Sequence, residues 1–178
     1  TLAELDDVAW LDAARAVADD LIRLFAADEA GGFYSTGSDA EALIVRPKDT
    51  QDNATPSESS LACEMLMRLA VLTGEASYEE IARHWLVRIA PLAAEHPTAF
   101  AYALGAVERA LFAPVENAIC GEPDDPATVA LRAEVHTRLI PGGVTLSAAP
   151  GTGVDRSPLL AGRDLVEGRA AAYVCENY

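Results

Sequence analysis

Apolar residues recur at helical spacing in four segments of the first 111 residues. The first segment covers about residues 7–27, and its apolar stripe consists of Val8, Leu11, Val17, Leu21, Leu24 and Phe25. The other three begin near Pro56, Ser77 and Pro97. Because residues three and four apart share a helix face, each segment predicts an amphipathic helix. Their short connections favour antiparallel hairpins of consecutive helices.

Helix start and stop signals support the second and third segments. A Ser or Thr followed three residues later by Glu is a capping box, and this pattern occurs at 55–58 and at 77–80. Pro56 suits a first helical position, and Gly74 predicts the end of the second helix. Pro91 is expected to bend or end the third helix.

The fourth helix has two apolar faces. The larger side chains predict its buried face: Phe100, Leu104, Val107 and Leu111. The smaller ones predict a face that a neighbouring helix can approach closely: Ala99, Ala103, Ala106 and Ala110.

Short apolar runs predict strands elsewhere. Residues 33–35 and 42–45 flank a polar turn and predict a β-hairpin. After residue 113 the expected elements are strands at 115–120, 144–147 and 170–175, a helix at 126–139 and a loop at 148–158. The sequence therefore predicts a mainly α protein, with a helical-hairpin part at 1–113 and a small α+β lobe at 114–178.

Charge and cysteine usage narrow the partners. The 178 residues carry 28 acidic and 13 basic side chains, a formal net charge of −15, which disfavours nucleic acid and membrane surfaces. Cys63, Cys120 and Cys175 lie far apart, which argues against a disulfide framework and against a zinc site. We therefore expect reduced cysteines, a cytoplasmic location, no metal and no cofactor.

Several segments, in order, resemble the spermatogenesis-associated, thioredoxin-domain-containing protein family. They are residues 31–34, 39–49, 52–57, 115–121, 159–163 with Gly168, and 172–177. The resemblance implies a thioredoxin-like domain followed by a helical domain similar to the (α/α)6 toroids of six-hairpin glycosidases and N-acylglucosamine 2-epimerases. This chain would supply the last hairpins and the lobe, with the parent's N-terminal part or a second copy as partner. One departure is Glu58-Ser59, where the family usually has Gly-Asn.

The polar segment 46–60 is the candidate site, because substrates of such toroids sit in a funnel lined by loops at helix ends. Asp49 and Asp52 are the candidate catalytic pair, an acid and a base for glycosidic chemistry. The candidate ligand-binding residues are Arg46, Lys48, Ser57 and Ser60. The alternative is that both aspartates form turns and that Glu58 only caps a helix.

Two functions remain open. The chain is either a non-catalytic helical scaffold that presents or regulates the rest of its parent, or a carbohydrate-related enzyme domain that binds a sugar. The resemblance itself implies no particular reaction. The scaffold is favoured, because the chain holds no complete catalytic set.

Overall fold

The computed structural model describes residues 8–27, 31–42 and 44–176. The helices are α1 (Ala9–Phe25), α2 (Glu58–Thr73), α3 (Ala76–Glu95), α4 (Ala101–Leu111) and α5 (Pro126–His136). The strands are β1 (Val115–Cys120), β2 (Val144–Ala148) and β3 (Ala171–Glu176), and 3-10 turns cover Pro97–Ala99 and Pro158–Leu160. The predicted class, mainly α with a small α+β lobe, is confirmed. None of the helices in these described ranges is long and apolar enough to cross a membrane.

The chain divides into two compact units, and α1 and α2 contribute to both. One unit contains the described residues of 1–15, 71–74 and 113–178. Its sheet has the order β2-β1-β3, with β1 parallel to β2 and antiparallel to β3. The parallel pair requires a crossover, which α5 supplies. β1 and β2 are buried, whereas β3 alternates half-buried and exposed positions, as expected of an edge strand.

The other unit contains the described residues of 16–70 and 75–112. Its core combines aromatic and aliphatic side chains that are at most 8% exposed, among them Phe33, Leu66, Trp85, Ile89 and Phe100. Such burial of large apolar side chains is the dominant favourable term in folding.

The predicted β-hairpin at 33–35 and 42–45 is wrong. Phe33 instead forms an isolated antiparallel bridge with Ala26, directly after α1. Its backbone N–H donates to the Ser59 hydroxyl rather than to a second strand. Ile44 is fully exposed and Val45 is largely exposed. Residue 43 lies outside the described residues. Residue 7, where the first helix was predicted to begin, also lies outside the described residues.

The helices form where the apolar pattern places them, but several termini differ. α2 begins at Glu58, so Thr55 does not cap it. α3 begins at Ala76 and includes Pro91, so the predicted 77–80 box lies inside the helix and the proline does not end it. Gly74 follows α2 with φ of 73°, a left-handed conformation that confirms the predicted stop. In the lobe, the helix predicted at 126–139 is α5, which ends at His136, three residues before the predicted end.

Two predicted buried positions are exposed. Leu111 is 72% exposed, while Ala103 and Ala106 are fully buried, so α4 packs through its small-residue face. The alanines permit a close approach that leucines would prevent. In α1, Val17 is 61% exposed and its neighbour Ala18 is buried instead.

Candidate functional site

Asp52 lies at the centre of the predicted site and binds the N-termini of two helices. One carboxylate oxygen, Oδ1, accepts the backbone N–H of Ser57 at 2.9 Å, immediately before α2. The other, Oδ2, accepts the N–H groups of Tyr102 at 2.9 Å and Ala103 at 3.1 Å, in the first turn of α4. Helix N-termini leave such groups without intrahelical acceptors. Asp52 therefore caps α4 and holds the segment that leads into α2.

These hydrogen bonds keep Asp52 ionised. Burial by itself raises the pKa of the carboxyl, but hydrogen bonds from Ser57, Ser60, Ala103 and Tyr102 outweigh it, and the pKa lies below its ordinary value. A general acid for glycosidic chemistry needs a raised pKa instead. The environment of Asp52 thus favours the ionised form of its side chain.

Ser57 and Ser60 form the helix start beside Asp52. The Ser57 hydroxyl accepts the backbone N–H of Ser60 at 3.2 Å, and the two hydroxyl oxygens are 2.8 Å apart. Ser57 thereby takes the capping role that the sequence assigned to Thr55. Both serines are buried, so their side chains serve the start of α2.

Arg46 and Lys48 are the two positively charged residues of the predicted ligand-binding set, and both donate hydrogen bonds to backbone carbonyls. Arg46 donates to the carbonyls of Leu24, at 2.9 Å, and Thr36, and its guanidinium lies 4.1 Å from the centre of the Tyr34 ring. Lys48 donates to the carbonyl of Gly31, and burial lowers the pKa of its ammonium below the ordinary value. Both cations thus hold the irregular segment between α1 and α2.

The structure brings part of the predicted set together. Asp52, Ser57 and Ser60 form one hydrogen-bonded cluster, whereas the hydrogen bonds of Arg46 and Lys48 run to backbone between residues 24 and 36. Asp49 is exposed on the loop. Among the described residues no group of three or more His, Cys, Asp or Glu side chains could hold a metal ion.

Ser59 is a residue that the sequence reasoning set aside. It stands where the related family usually has Asn, it is fully buried, and its hydroxyl accepts the N–H of Phe33 at 2.9 Å. Gly32 packs against it: a Cβ there would lie 2.8 Å from the Ser59 hydroxyl and 2.7 Å from the Trp85 ring. The paired glycines of the 31–34 motif were the available signal for this close approach.

A cluster of charged side chains on α2 and α4 was also not predicted from the sequence. Glu64 accepts from Arg68 Nε at 2.7 Å and from Arg109 Nη2 at 3.1 Å, and Arg109 is nearly buried. The Glu64–Arg68 pair could be recognised from its spacing of four residues. Arg109 could not, because it lies 45 positions away from Glu64.

A cleft of about 300 Å³ lies elsewhere in the same unit. It is lined mainly by apolar groups from α1, α3 and the glycine pair: Ile22, Ala26, Ala27, Gly31, Gly32, Glu80, Ile81 and His84. None of the predicted catalytic or ligand-binding side chains lines it. The predicted site and this cleft are therefore separate features.

Comparison with known proteins gives three curated relatives, and no family model matches. The chain is 31% identical over 173 residues to spermatogenesis-associated protein 20 of Homo sapiens, covering 95% of this chain. It is 30% identical to the Rattus norvegicus protein of that name and 29% identical to the Mus musculus protein, each over 172 residues. The chain spans 22% of the length of each relative. The resemblance to the spermatogenesis-associated family is confirmed over nearly the whole chain.

Proposed function

We propose, from this relationship to spermatogenesis-associated protein 20, that the chain is a non-catalytic helical part of a larger protein. In this proposal it supplies the last hairpins of an (α/α)6-like toroid together with the α+β lobe. It presents or regulates the remainder of its parent, which includes a thioredoxin-like domain. The free cysteines fit a reducing compartment such as the cytoplasm.

The hydrogen bonding of Asp52 carries this proposal. Both of its oxygens accept backbone N–H groups, so its lone pairs are directed at helix N-termini. A catalytic carboxylate must instead reach the proton or carbon that reacts. Arg46 and Lys48 likewise donate to backbone carbonyls. Arg46, Lys48 and Asp52 thus support the local fold, whereas Asp49 is exposed on the loop. This arrangement favours a scaffold over the carbohydrate-related enzyme.

Exposed apolar side chains also support a scaffold. Leu111 and Phe112, at the end of α4, are 72% and 68% exposed, and Ile44 is fully exposed in the same unit. Adjacent large apolar side chains in solvent are typical of surfaces that contact other protein. We propose that the remainder of the parent protein covers the end of α4, and a second copy of this chain is the alternative partner.

The catalytic question is tested in the intact parent protein with Asp49→Asn and Asp52→Asn. If the chain is a scaffold, neither substitution changes the turnover of aryl glycosides or the epimerisation of amino sugars beyond any loss of folded protein. Asp49 is the sharper probe, because its exposed side chain can be changed without unfolding the chain. A hundredfold loss of sugar turnover in Asp49→Asn, with an unchanged unfolding temperature, would overturn the proposal.

Whether the chain regulates the rest of its parent is tested with a substitution at the exposed end of α4. Phe112→Asp in the intact protein should change both thiol–disulfide turnover and susceptibility to limited proteolysis. Ala101→Asp is the control, since it adds the same charge to the other end of α4 and removes no large apolar group. Unchanged turnover together with an unchanged set of binding partners in Phe112→Asp would contradict a regulatory role for this surface.

A further inference from the structure

The cleft between α1 and α3 contains four small residues in its lining. Ala26 and Ala27 directly follow α1, and Gly31 and Gly32 precede the bridge residue Phe33. All lining residues belong to the unit of residues 16–70 and 75–112. The volume of about 300 Å³ is at the lower end of the range for small-molecule pockets, about 300–1,000 Å³. The small residues therefore leave room for a molecule of about ten non-hydrogen atoms.

The glycine pair is held in place by its own contacts. A Cβ built on Gly31 would lie 2.7 Å from Cδ2 of His84, so the imidazole packs directly against this glycine. The carbonyl of Gly31 accepts from Lys48, and the carbonyl of Gly32 accepts the backbone N–H of Ala27 at 2.9 Å. Because the protein itself bonds these carbonyls, this part of the cleft is formed without a ligand and its lining is mainly apolar.

The charge at the cleft is negative. Glu80, near the start of α3, is exposed and is the one carboxylate in the described lining. One turn beyond the cleft, Arg88 donates to the carbonyl of His84 at 2.7 Å, and its Nη1 lies 3.2 Å from Nδ1 of that ring. A guanidinium has no acceptor, so Nδ1 accepts this hydrogen bond and the ring is in its uncharged form. The lining thus offers apolar surface with one acidic group at its edge.

We propose that this cleft binds a small primary amine with an apolar body. The ammonium group pairs with the carboxylate of Glu80, and the body lies against the apolar groups of Ile22, Ala27 and Ile81. The net charge of −15 adds to this preference, because an acidic protein attracts cations to its surface. This is a binding site separate from segment 46–60, and it goes beyond the scaffold role proposed above.

The test is calorimetric titration of the intact protein with benzylamine and, separately, with benzyl alcohol, which has the same ring and no charge. We expect saturable binding of benzylamine and weaker binding of the alcohol. Glu80→Gln should weaken benzylamine binding about two- to fivefold, the effect of losing an exposed ion pair, and leave the alcohol unchanged. Glu95→Gln is the matched control, because it removes the same charge from the other end of α3 and should bind both compounds as the unsubstituted protein does.

A second pair of variants tests the cleft itself. Ala27→Leu places a larger side chain in the lining and should abolish binding of both compounds. Ala101→Leu makes the same change at the exposed start of α4 and should leave binding unchanged, and urea unfolding checks that both variants are folded. The proposal is wrong if benzylamine does not bind saturably, if folded Ala27→Leu binds it as Ala101→Leu does, or if Glu80→Gln and Glu95→Gln bind it equally well.

Discussion

Asp52 Oδ2 accepts the backbone N–H of Tyr102 at 2.9 Å, across 50 positions of the chain. Its other oxygen accepts the N–H of Ser57 at the start of α2. One side chain thus joins the starting points of two helices that are distant in sequence. A carboxylate in a polar loop is expected to take part in catalysis or in a local turn. Asp52 instead links two helices by accepting their backbone N–H groups.

Removing this carboxylate should destabilise the fold. Asp52→Ala leaves the N–H groups of Ser57, Tyr102 and Ala103 without their acceptor, and we expect the free energy of unfolding to fall by about 2 kcal/mol, about 1 for each helix start. Asp49→Asn, on the exposed part of the same loop, should change it by less than about 0.5 kcal/mol. Urea denaturation followed by circular dichroism measures both. Equal effects of the two substitutions would show that Asp52 does not hold the helices.

The same carboxylate should make stability depend on pH at the acidic end. The pKa of Asp52 is lower in the folded chain than its ordinary value of 3.8. Its contribution is therefore complete above about pH 4 and is lost as the pH falls through the folded pKa. The difference in unfolding free energy between the unsubstituted protein and Asp52→Asn should be constant from pH 7 to 5 and shrink below pH 4. A difference that grows on acidification would contradict the lowered pKa.

The sequence predicted the elements better than their contacts. β1 was predicted to its terminal residues, because the short segment Val115–Cys120 lies between Pro114 and Gly121, which mark its two ends. The start of α2 was not predicted correctly, since Thr55 and Ser57 can both cap a helix. At the observed start, the backbone N–H of Ser57 also donates to Asp52, and the periodicity of the sequence does not indicate this hydrogen bond. The small-residue face of α4 was predicted correctly, since Ala103 and Ala106 are fully buried. The face of larger side chains was predicted only in part, because Phe100 is fully buried but Leu111 is 72% exposed.

The candidate site shows the same limit. Segment 46–60 was predicted as the candidate site, and of its predicted residues the structure brings Asp52, Ser57 and Ser60 together. The acceptors of Arg46 and Lys48 are backbone carbonyls of residues 24, 31 and 36, which carry no side-chain signature. Periodicity alone therefore gives no information about these hydrogen bonds.

Two glycine substitutions should have opposite effects on stability. Gly32 has φ of 78°, and a Cβ there would lie 2.7 Å from the Trp85 ring, so Gly32→Ala should lower the free energy of unfolding by about 1–3 kcal/mol. Gly105 lies inside α4 with open space around its Cα, so Gly105→Ala should raise it by about 0.5–1 kcal/mol through helix propensity. Thermal and urea unfolding of both variants measure the sign. A stabilising Gly32→Ala would show that the segment packs differently against α3.

The three cysteines should differ in reactivity towards alkylating agents. Cys63 is fully buried, its thiol lies 3.7 Å from the carbonyl of Ala82, and burial raises its pKa to about 12. Burial also raises the pKa of Cys120, whereas Cys175 is half-exposed on the edge strand. Since the thiolate is the reactive form, iodoacetamide at pH 8 should modify Cys175 first and Cys63 only after unfolding. Peptide mass spectrometry with and without urea gives the order, and labelling of Cys63 in the folded protein at the rate of Cys175 would contradict its burial.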